Sequence, residues 1–158
     1  MKPTTFISFL FPLLIFTASS CGGSKNSLKK PKPNKVGVHF VESETLTAVL
    51  EQAEKENKLV FVDFYATWCV PCKMMDEDVF PDKTIGEFFK KNFISYKVNG
   101  LKGNGINLAT VFNVTAYPTL LFLNPKGKVL VSRRGAAYHS DLMNMAKRAL
   151  EQHRLSGL

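Results

Sequence analysis

The stretch WCVPCK at residues 68–73 is the part of the chain that decides its fold. It holds two cysteines, Cys69 and Cys72, and directly follows an apolar, β-branched and aromatic run at residues 59–65. A strand that leads into a helix places such a pair on the first turn of the helix, where the positive end of the helix dipole favours a thiolate. We therefore expect one exposed and reactive sulfur at the start of a helix.

The spacing of the two cysteines is compatible with a redox dithiol, half of a zinc site or a structural disulfide. Tetrahedral zinc needs four ligands, yet the remaining cysteine, Cys21, lies in the N-terminal segment and the histidines have no ligand spacing: His39, His139 and His153. A structural disulfide that closes so short a loop removes little chain entropy. The redox dithiol is therefore favoured and no bound metal is expected, although the other two interpretations stay open.

The first twenty residues have the pattern of a secretory signal, with one basic residue, an apolar run at residues 6–16 and small residues up to Ser20. The run is too short to span a membrane. Cys21 and two glycines follow, which resembles the lipobox of bacterial lipoproteins, although Ala18 stands where that motif usually has leucine. We predict cleavage before Cys21 and lipid attachment to its sulfur. The alternative is ordinary signal cleavage, which releases a soluble protein with one odd cysteine.

The formal net charge of +8 is concentrated before the predicted folded part. Six of the 21 basic residues precede Val36, so that from Val36 onward 15 basic residues face 13 acidic ones, a net charge of +2. No nucleic-acid partner is therefore expected. Residues 21–35 are rich in Lys, Ser, Gly, Asn and Pro, which predicts a disordered tether that is either a plain spacer or lies on anionic lipid.

Residues 36–158 are enough for one domain with its own core. Hydrophobic periodicity and helix-capping residues predict five helices, at residues 44–57 after a Ser43 cap, 69–79, 83–91, 106–112 and from a Ser140 cap to about Leu150. Four strands are predicted at residues 59–65, 93–98, 119–123 and 128–133. The predicted class is a single α/β domain, βαβ followed by ββα, with an extra helix at its N-terminus.

From about Glu44 to Leu150 the chain resembles the thioredoxin-fold family. Separated features carry this resemblance in the family's order and spacing: Asp63 six residues before Cys69, the WCVPCK run, Lys97 in the next strand, Tyr117-Pro118-Thr119 before the hairpin and Gly135 after it. Within the family it looks most like the C-terminal periplasmic domain of the transmembrane thiol:disulfide interchange protein and its stand-alone relatives. The resemblance implies a central mixed sheet flanked by helices and an exported thiol:disulfide oxidoreductase.

The same resemblance implies the roles of the ionisable site residues. Cys69 is the nucleophile, with a pKa lowered from about 8.5 into the range of about 3.5 to 7.5, and Cys72 is the resolving thiol. Asp63 is a buried acid of raised pKa that exchanges a proton with Cys72. Lys97 and Lys73 tune the pKa values of the site. The alternative for Asp63 is a solvated position at an edge of the sheet, with Lys97 on an outer face.

Pro118 is implied to have a cis peptide bond and to face the cysteine pair, whereas an ordinary trans turn proline is the alternative. The cis bond would keep the chain extended, so that the backbone at Tyr117 pairs with a substrate strand. The resemblance and the aromatic composition together imply a substrate groove, formed by Trp68, Val70, Pro71, Tyr117 and Thr119. No cofactor beyond the Cys69–Cys72 dithiol is implied.

Proline without histidine between the two cysteines resembles the reducing members of the family, because a histidine there stabilises the reduced thiolate of strong oxidants. We predict a monomeric, lipid-anchored enzyme of the bacterial envelope that faces the periplasm, reduces protein disulfides and receives electrons from a membrane donor. A client-binding, chaperone-like module that uses the same groove is one alternative. A dedicated electron donor to one redox partner, chosen by the loop at residues 100–105, is another.

Overall fold

The computed structural model describes residues 37–157, so that the predicted signal, the tether and Cys21 lie outside the described residues. The strands are β1 (Phe40–Val41), β2 (Leu59–Tyr65), β3 (Phe93–Asn99), β4 (Thr119–Leu123) and β5 (Val129–Arg134). The α-helices are α1 (Leu46–Lys55), α2 (Val70–Met74), α3 (Lys83–Asn92), α4 (Asn104–Val111) and α5 (His139–Leu155). One turn of π-helix, Met75–Val79, continues α2.

The strands form one mixed sheet in the order β1-β3-β2-β4-β5. β3 runs parallel to both β1 and β2, whereas β4 runs antiparallel to β2 and to β5. β2 is therefore central, and every residue in it except the last is buried. This confirms the predicted α/β class and explains why the run at residues 59–65 is almost continuously apolar, since a strand covered on both faces has no polar side.

Side chains that alternate along β2 divide the core into two layers. Val60, Val62 and Phe64 pack toward α1 and α4. Phe61 packs on the other face, toward the π turn, α3 and α5. Asp63 belongs to the same face as Phe61, and its register partner in β3 is Lys97. Both charged side chains thus point toward the helical segment that begins at the cysteine pair.

Aromatic side chains fill the layer around Phe61. Besides Phe61, the buried or partly buried phenylalanines of this layer include Phe80, Phe88, Phe89, Phe93 and Phe122. Phe89 is fully buried, and its ring centroid lies 5.0 Å from that of Phe61. The two methionines after Cys72 serve packing, since Met75 is fully buried and Met74 lies against the same core.

The first strand was not predicted from sequence. β1 has only two residues, too few for any alternating pattern, and it is defined by pairing with Ser95 and Tyr96 of β3. Within the described residues a strand therefore precedes the predicted extra helix, α1, which is the connection between β1 and β2.

Two predicted helix caps were wrong. Thr45 caps α1 by accepting the Ala48 N–H at 3.3 Å, while the Ser43 hydroxyl oxygen accepts the Thr45 N–H one step earlier. α5 begins at His139, so that Ser140 lies inside the helix and makes no cap. Ser43 and Thr45 stand close together at the start of α1, and local spacing did not show which of them leaves the extended chain, whereas the N-cap of α5 is Tyr138, which makes no side-chain cap.

The predicted helix at residues 69–79 changes its hydrogen bonding halfway. α2 ends at Met74, and the Phe80 N–H donates to the carbonyl of Met75 at 2.8 Å, which closes a π turn. A π turn holds one more residue than an α turn. Met75 and Val79 reach the core from it, while the Asp76 carboxylate reaches Lys97 on β3.

Candidate active site

The cysteine pair forms a disulfide at the start of α2, with the two Cα atoms 5.3 Å apart. Cys69 is the N-cap of α2, and its sulfur accepts a hydrogen bond from the Cys72 N–H at 3.2 Å. Pro71 in the first turn leaves no free N–H of its own. When the disulfide is reduced, the helix dipole and the amide donor both stabilise a thiolate on Cys69.

The prediction of an exposed sulfur is wrong for this disulfide form. Cys69 is 1% exposed and Cys72 3% exposed, and both pack in a small cluster with Ala66, Tyr65 and Tyr117. Two tyrosines from the end of β2 and from the turn before β4 close over the first turn of the helix. Tyr117 lies far along the chain from the cysteines, so the spacing of the cysteines could not reveal this cover.

Exposed apolar side chains lie around the covered disulfide. Trp68 is 68% exposed and Val70 is 74% exposed. The Trp68 ring meets that of Tyr117 edge to face, with 6.2 Å between centroids. Pro71 is exposed as well. Four of the five predicted groove residues are thus accessible at least in part.

The fifth predicted groove residue, Thr119, points inward. It is 4% exposed, and its hydroxyl donates to the carbonyl of Ala116 at 2.7 Å. The preceding Tyr117–Pro118 peptide bond is cis, the conformation that the resemblance implies. The carbonyl of Pro118 accepts the Gly135 N–H at 2.8 Å, which ties the turn before β4 to the end of β5. Glycine suits that end of the hairpin because φ there is +90°.

A buried carboxylate lies on the face of β2 that points toward the active-site helix. Asp63 is 1% exposed, and one of its oxygens, Oδ2, accepts from Lys97 Nζ at 2.7 Å. The other oxygen, Oδ1, is buried and accepts no hydrogen bond within the described residues. Lys97 also donates to Asp76 at 2.5 Å, and that carboxylate is 43% exposed. Lys97 therefore joins a buried acid to one that reaches solvent.

The carboxylates of Asp63 and Asp76 share the ammonium of Lys97. This pairing and the burial of Asp63 together shift the pKa values of Asp63 and Lys97. Burial raises the pKa of Asp63, and the attraction of Lys97 opposes the rise without cancelling it. Burial by itself lowers the pKa of Lys97, but Asp63 and Asp76 together outweigh it, so the pKa of Lys97 is raised. Lys97 therefore stays charged at neutral pH, whereas Asp63 holds its proton to a higher pH than an ordinary carboxyl does.

Three aromatic rings surround the Lys97 ammonium. Its Nζ lies 4.9 Å from the ring centroid of Tyr65, 5.1 Å from that of Phe80 and 5.4 Å from that of Phe40. These rings add cation–π attraction. Lys73, the other predicted tuning residue, is exposed and forms no ion pair with any described residue.

Sequence reasoning missed Asp76 and Phe40 as parts of this site. Asp76 lies four residues after Cys72, the spacing that brings two side chains to one face of a helix, so the spacing held a usable signal. Phe40 belongs to β1, and the sequence contains no pattern from which that two-residue strand could be predicted.

The described residues hold no cluster of three or more metal-ligating side chains. Residues 37–157 also include no helix with the length and apolar character that a membrane span requires.

A mixed sheet with a disulfide at the N-terminus of a helix and a cis-proline turn nearby defines a thiol:disulfide oxidoreductase. The chain belongs to the thioredoxin-like family, whose model, described as "Thioredoxin-like", matches residues 42–125.

Curated relatives agree with this assignment. The chain is 33% identical over 107 residues to thioredoxin H4 of Arabidopsis thaliana, which covers 68% of this chain and 82% of that protein. It is 31% identical over 87 residues to the thiol:disulfide interchange protein DsbD of Tatumella citrea, which covers 54% of this chain. The match spans only 15% of that interchange protein.

Solved structures agree as well. A solution structure from Bacteroides thetaiotaomicron, provisionally named a disulphide-isomerase, is 38% identical with a TM-score of 0.65, over 73% of this chain and 94% of that one. A thioredoxin from Thermus thermophilus has a TM-score of 0.67 at 19% identity, over 77% of this chain and 94% of that one, and shows the fold alone. The relatives and the disulfide together identify the chain as a thiol:disulfide oxidoreductase.

Proposed function

We propose that this protein is an exported enzyme that reduces disulfide bonds in proteins of the bacterial envelope. The observation that carries the proposal is the Cys69–Cys72 disulfide, with the Cys69 sulfur at the N-terminus of α2 beside the Cys72 N–H. The dipeptide between the cysteines supports the reducing direction, because it has no histidine to stabilise the reduced form. The likeness to the interchange protein DsbD supports a place in the envelope.

The proposed reaction is a pair of thiol–disulfide exchanges. The Cys69 thiolate attacks one sulfur of a substrate disulfide, which forms a mixed disulfide and releases the other substrate sulfur as a thiolate. Cys72 then loses its proton and attacks the sulfur of Cys69. The Cys69–Cys72 bond forms and the second substrate thiolate leaves, so that two electrons have passed to the substrate. A dithiol donor, proposed to lie in the membrane, restores the enzyme by the reverse exchange.

Asp63 is proposed to take the proton from Cys72 in the second exchange. Its Oδ1 atom makes no hydrogen bond within the described residues, and its raised pKa suits an acid that is to hold a proton in a buried site. Lys97 and Asp76 continue the path toward solvent. Lys97 thus keeps Asp63 paired when the carboxyl is ionised.

The proposed substrate is an extended segment of protein that contains a disulfide. The exposed rings and methyl groups of Trp68 and Val70 offer apolar contacts beside the disulfide. Tyr117 packs against the disulfide in the turn before β4, and its backbone is proposed to pair with the substrate strand. No cofactor other than the dithiol takes part in the proposed reaction.

The reduction potential of the Cys69–Cys72 couple tests the direction. We expect a value below about −220 mV, closer to thioredoxin than to the strong oxidant DsbA. It is measured by equilibrating the protein in dithiothreitol or glutathione buffers. Replacing Pro71 with histidine provides the control and is expected to raise the potential by about 30 mV or more, since the imidazolium stabilises the thiolate. A parent value of about −120 mV, like that of the strong oxidant DsbA, would make the protein an oxidant.

Export and lipid attachment are proposed from residues outside the described part of the chain. We expect the protein made in a bacterial host to incorporate a labelled fatty acid and to sediment with membranes, the domain at residues 36–158 facing the periplasm. Replacing Cys21 with serine is expected to remove the label and release the protein, while Cys69→Ser retains both. A parent chain that takes up no label would leave only the unlipidated, exported form.

A further inference from the structure

We propose that Gly100 is a positioning residue that seats the Tyr117 ring as a cover over the disulfide, so that small thiols reduce the disulfide slowly. The cover limits access to the reacting bond. This proposal rests on the disulfide exchange proposed above, and it holds for either direction of electron flow.

The space beside Gly100 is occupied by the ring of Tyr117. A Cβ atom added at Gly100 would lie 2.7 Å from Cε1 and 2.9 Å from Cζ of that ring, and closer still to its Oη. Separations this short require the ring to move. The φ angle of Gly100 is outside the left-handed region, so glycine is needed here for space and not for its backbone freedom.

The backbone on the Gly100 side of this contact is fixed. β2 and β3 are paired up to Tyr65 and Asn99, and the Gly100 N–H continues the ladder by donating to the carbonyl of Tyr65 at 3.0 Å. The backbone that carries Tyr117 is fixed as well, because β4 begins two residues later. A side chain at position 100 therefore displaces the Tyr117 ring rather than either strand.

The opposite side of the Tyr117 ring is packed, which decides the direction of its movement. The ring contacts the cluster of Cys69, Cys72 and Ala66, and it meets Trp68 edge to face. Because these neighbours are already in contact, a displaced ring has to swing toward solvent. This movement uncovers a disulfide whose cysteines are 1% and 3% exposed.

The cover acts on the first step of reduction. A dithiothreitol thiolate attacks the Cys69 sulfur, breaks the Cys69–Cys72 bond and releases Cys72 as a thiolate, and the second dithiothreitol thiol then closes its own disulfide and releases Cys69. The two electrons come from dithiothreitol. Attack on a covered sulfur requires a transient opening, so the observed rate falls with the fraction of open molecules.

The test follows reduction of the oxidised protein by dithiothreitol through the fluorescence of Trp68, the single tryptophan of the chain. We expect Gly100→Ala and Tyr117→Ala each to raise the second-order rate constant of reduction by about tenfold. A factor of about ten is expected if the cover is open in about one parent molecule in ten and is always open in the variants. In the double variant, Gly100→Ala should add nothing, since the ring through which it acts is gone.

Gly103→Ala serves as the control for strain in the same loop, because the added Cβ has no atom within 4 Å and so cannot touch the Tyr117 ring, while the φ of +53° makes any side chain there strained. It is expected to leave the rate constant unchanged, and the unfolding midpoint of every variant is measured beside it. If Gly100→Ala does not fold, Tyr117→Ala alone decides, and an unchanged rate constant in it refutes the cover. The inference also fails if Gly100→Ala is no faster than the parent, or if it accelerates reduction equally without Tyr117. A protein with these dithiothreitol kinetics that reduces no protein disulfide would refute the proposed function alone.

Discussion

Replacing Cys69 with serine is expected to abolish the reduction of protein disulfides, with a loss of at least about 10³-fold. The variant has no sulfur at the helix N-terminus to attack the substrate. Replacing Cys72 with serine and keeping Cys69 is expected to stop turnover as well, but after the first exchange, so that covalent mixed disulfides accumulate. Turnover is measured with insulin as substrate, and the mixed disulfides are seen on non-reducing gels.

The control for trapping is the variant with serine at both positions 69 and 72, which should form no mixed disulfide. If the variant without both cysteines still acts on its protein substrates as fully as the parent does, the protein is a client-binding module and the proposal of an enzyme fails. The trapped species also separate the remaining possibilities. Many partners indicate a general reductase, whereas a single partner indicates a dedicated electron donor.

Replacing Asp63 with asparagine is expected to make the protein more stable and less active. The substitution removes a carboxylate that is 1% exposed and whose pKa is raised by burial, and it leaves Lys97 paired with Asp76. We expect a gain of about 2 kcal/mol in the free energy of unfolding at neutral pH. Release of substrate from the mixed disulfide should slow by about 10²-fold, because the proton acceptor for Cys72 is lost.

The pH dependence of this gain has a defined sign. Burial raises the folded-state pKa of Asp63 above its unfolded value of about 3.9, so between the two values the folded parent holds more protons than the unfolded chain. The stability of the parent therefore falls as pH rises through this window. The difference between the asparagine variant and the parent should be smallest below the unfolded pKa and reach its full size above the folded one, as measured by urea unfolding.

Two further variants complete this test. Asp78→Asn removes an exposed acid from the same π turn and should change neither stability nor rate. Lys97→Met should act in the opposite direction and destabilise the protein by about 2 kcal/mol at neutral pH, because it leaves Asp63 buried without its partner. That loss should shrink in acid, where Asp63 is neutral. An Asp63→Asn variant of unchanged stability and unchanged rate would show that this carboxylate takes no part in the proton transfer.

The sequence predicted the central strand, the disulfide helix and the hairpin because each has a strong local pattern. β2 and β4 begin and end at the predicted residues, and β3 differs by one. Helix starts were less predictable. Ser43 and Thr45 both have a hydroxyl that can cap α1, and only the backbone conformation of the folded chain shows that Thr45 is the N-cap. The π turn at Met75–Val79 could not be predicted either, because no change in amino-acid composition marks the point where the α-helix ends and the π turn begins.

The candidate site divides in a similar way. The resemblance implied that Asp63 and Lys97 are both site residues, and the paired strands β2 and β3 bring Lys97 Nζ to 2.7 Å from the Asp63 carboxylate. Phe40 could not be placed beside Lys97, because β1 is too short to carry a pattern and is recognised only through its pairing with β3. The burial of the disulfide was likewise hidden, since it depends on Tyr117 lying in the space that Gly100 leaves.

The sequence by itself determined the order of strands and helices and the kind of chemistry, because hydrophobic periodicity and the Cys-x-x-Cys spacing are local properties of the chain. Only the tertiary structure decided the surroundings of the reacting groups. It placed two carboxylates on one lysine and closed two tyrosines over the disulfide. Desolvation and side-chain contact arise between segments far apart in the chain, and no local pattern records them.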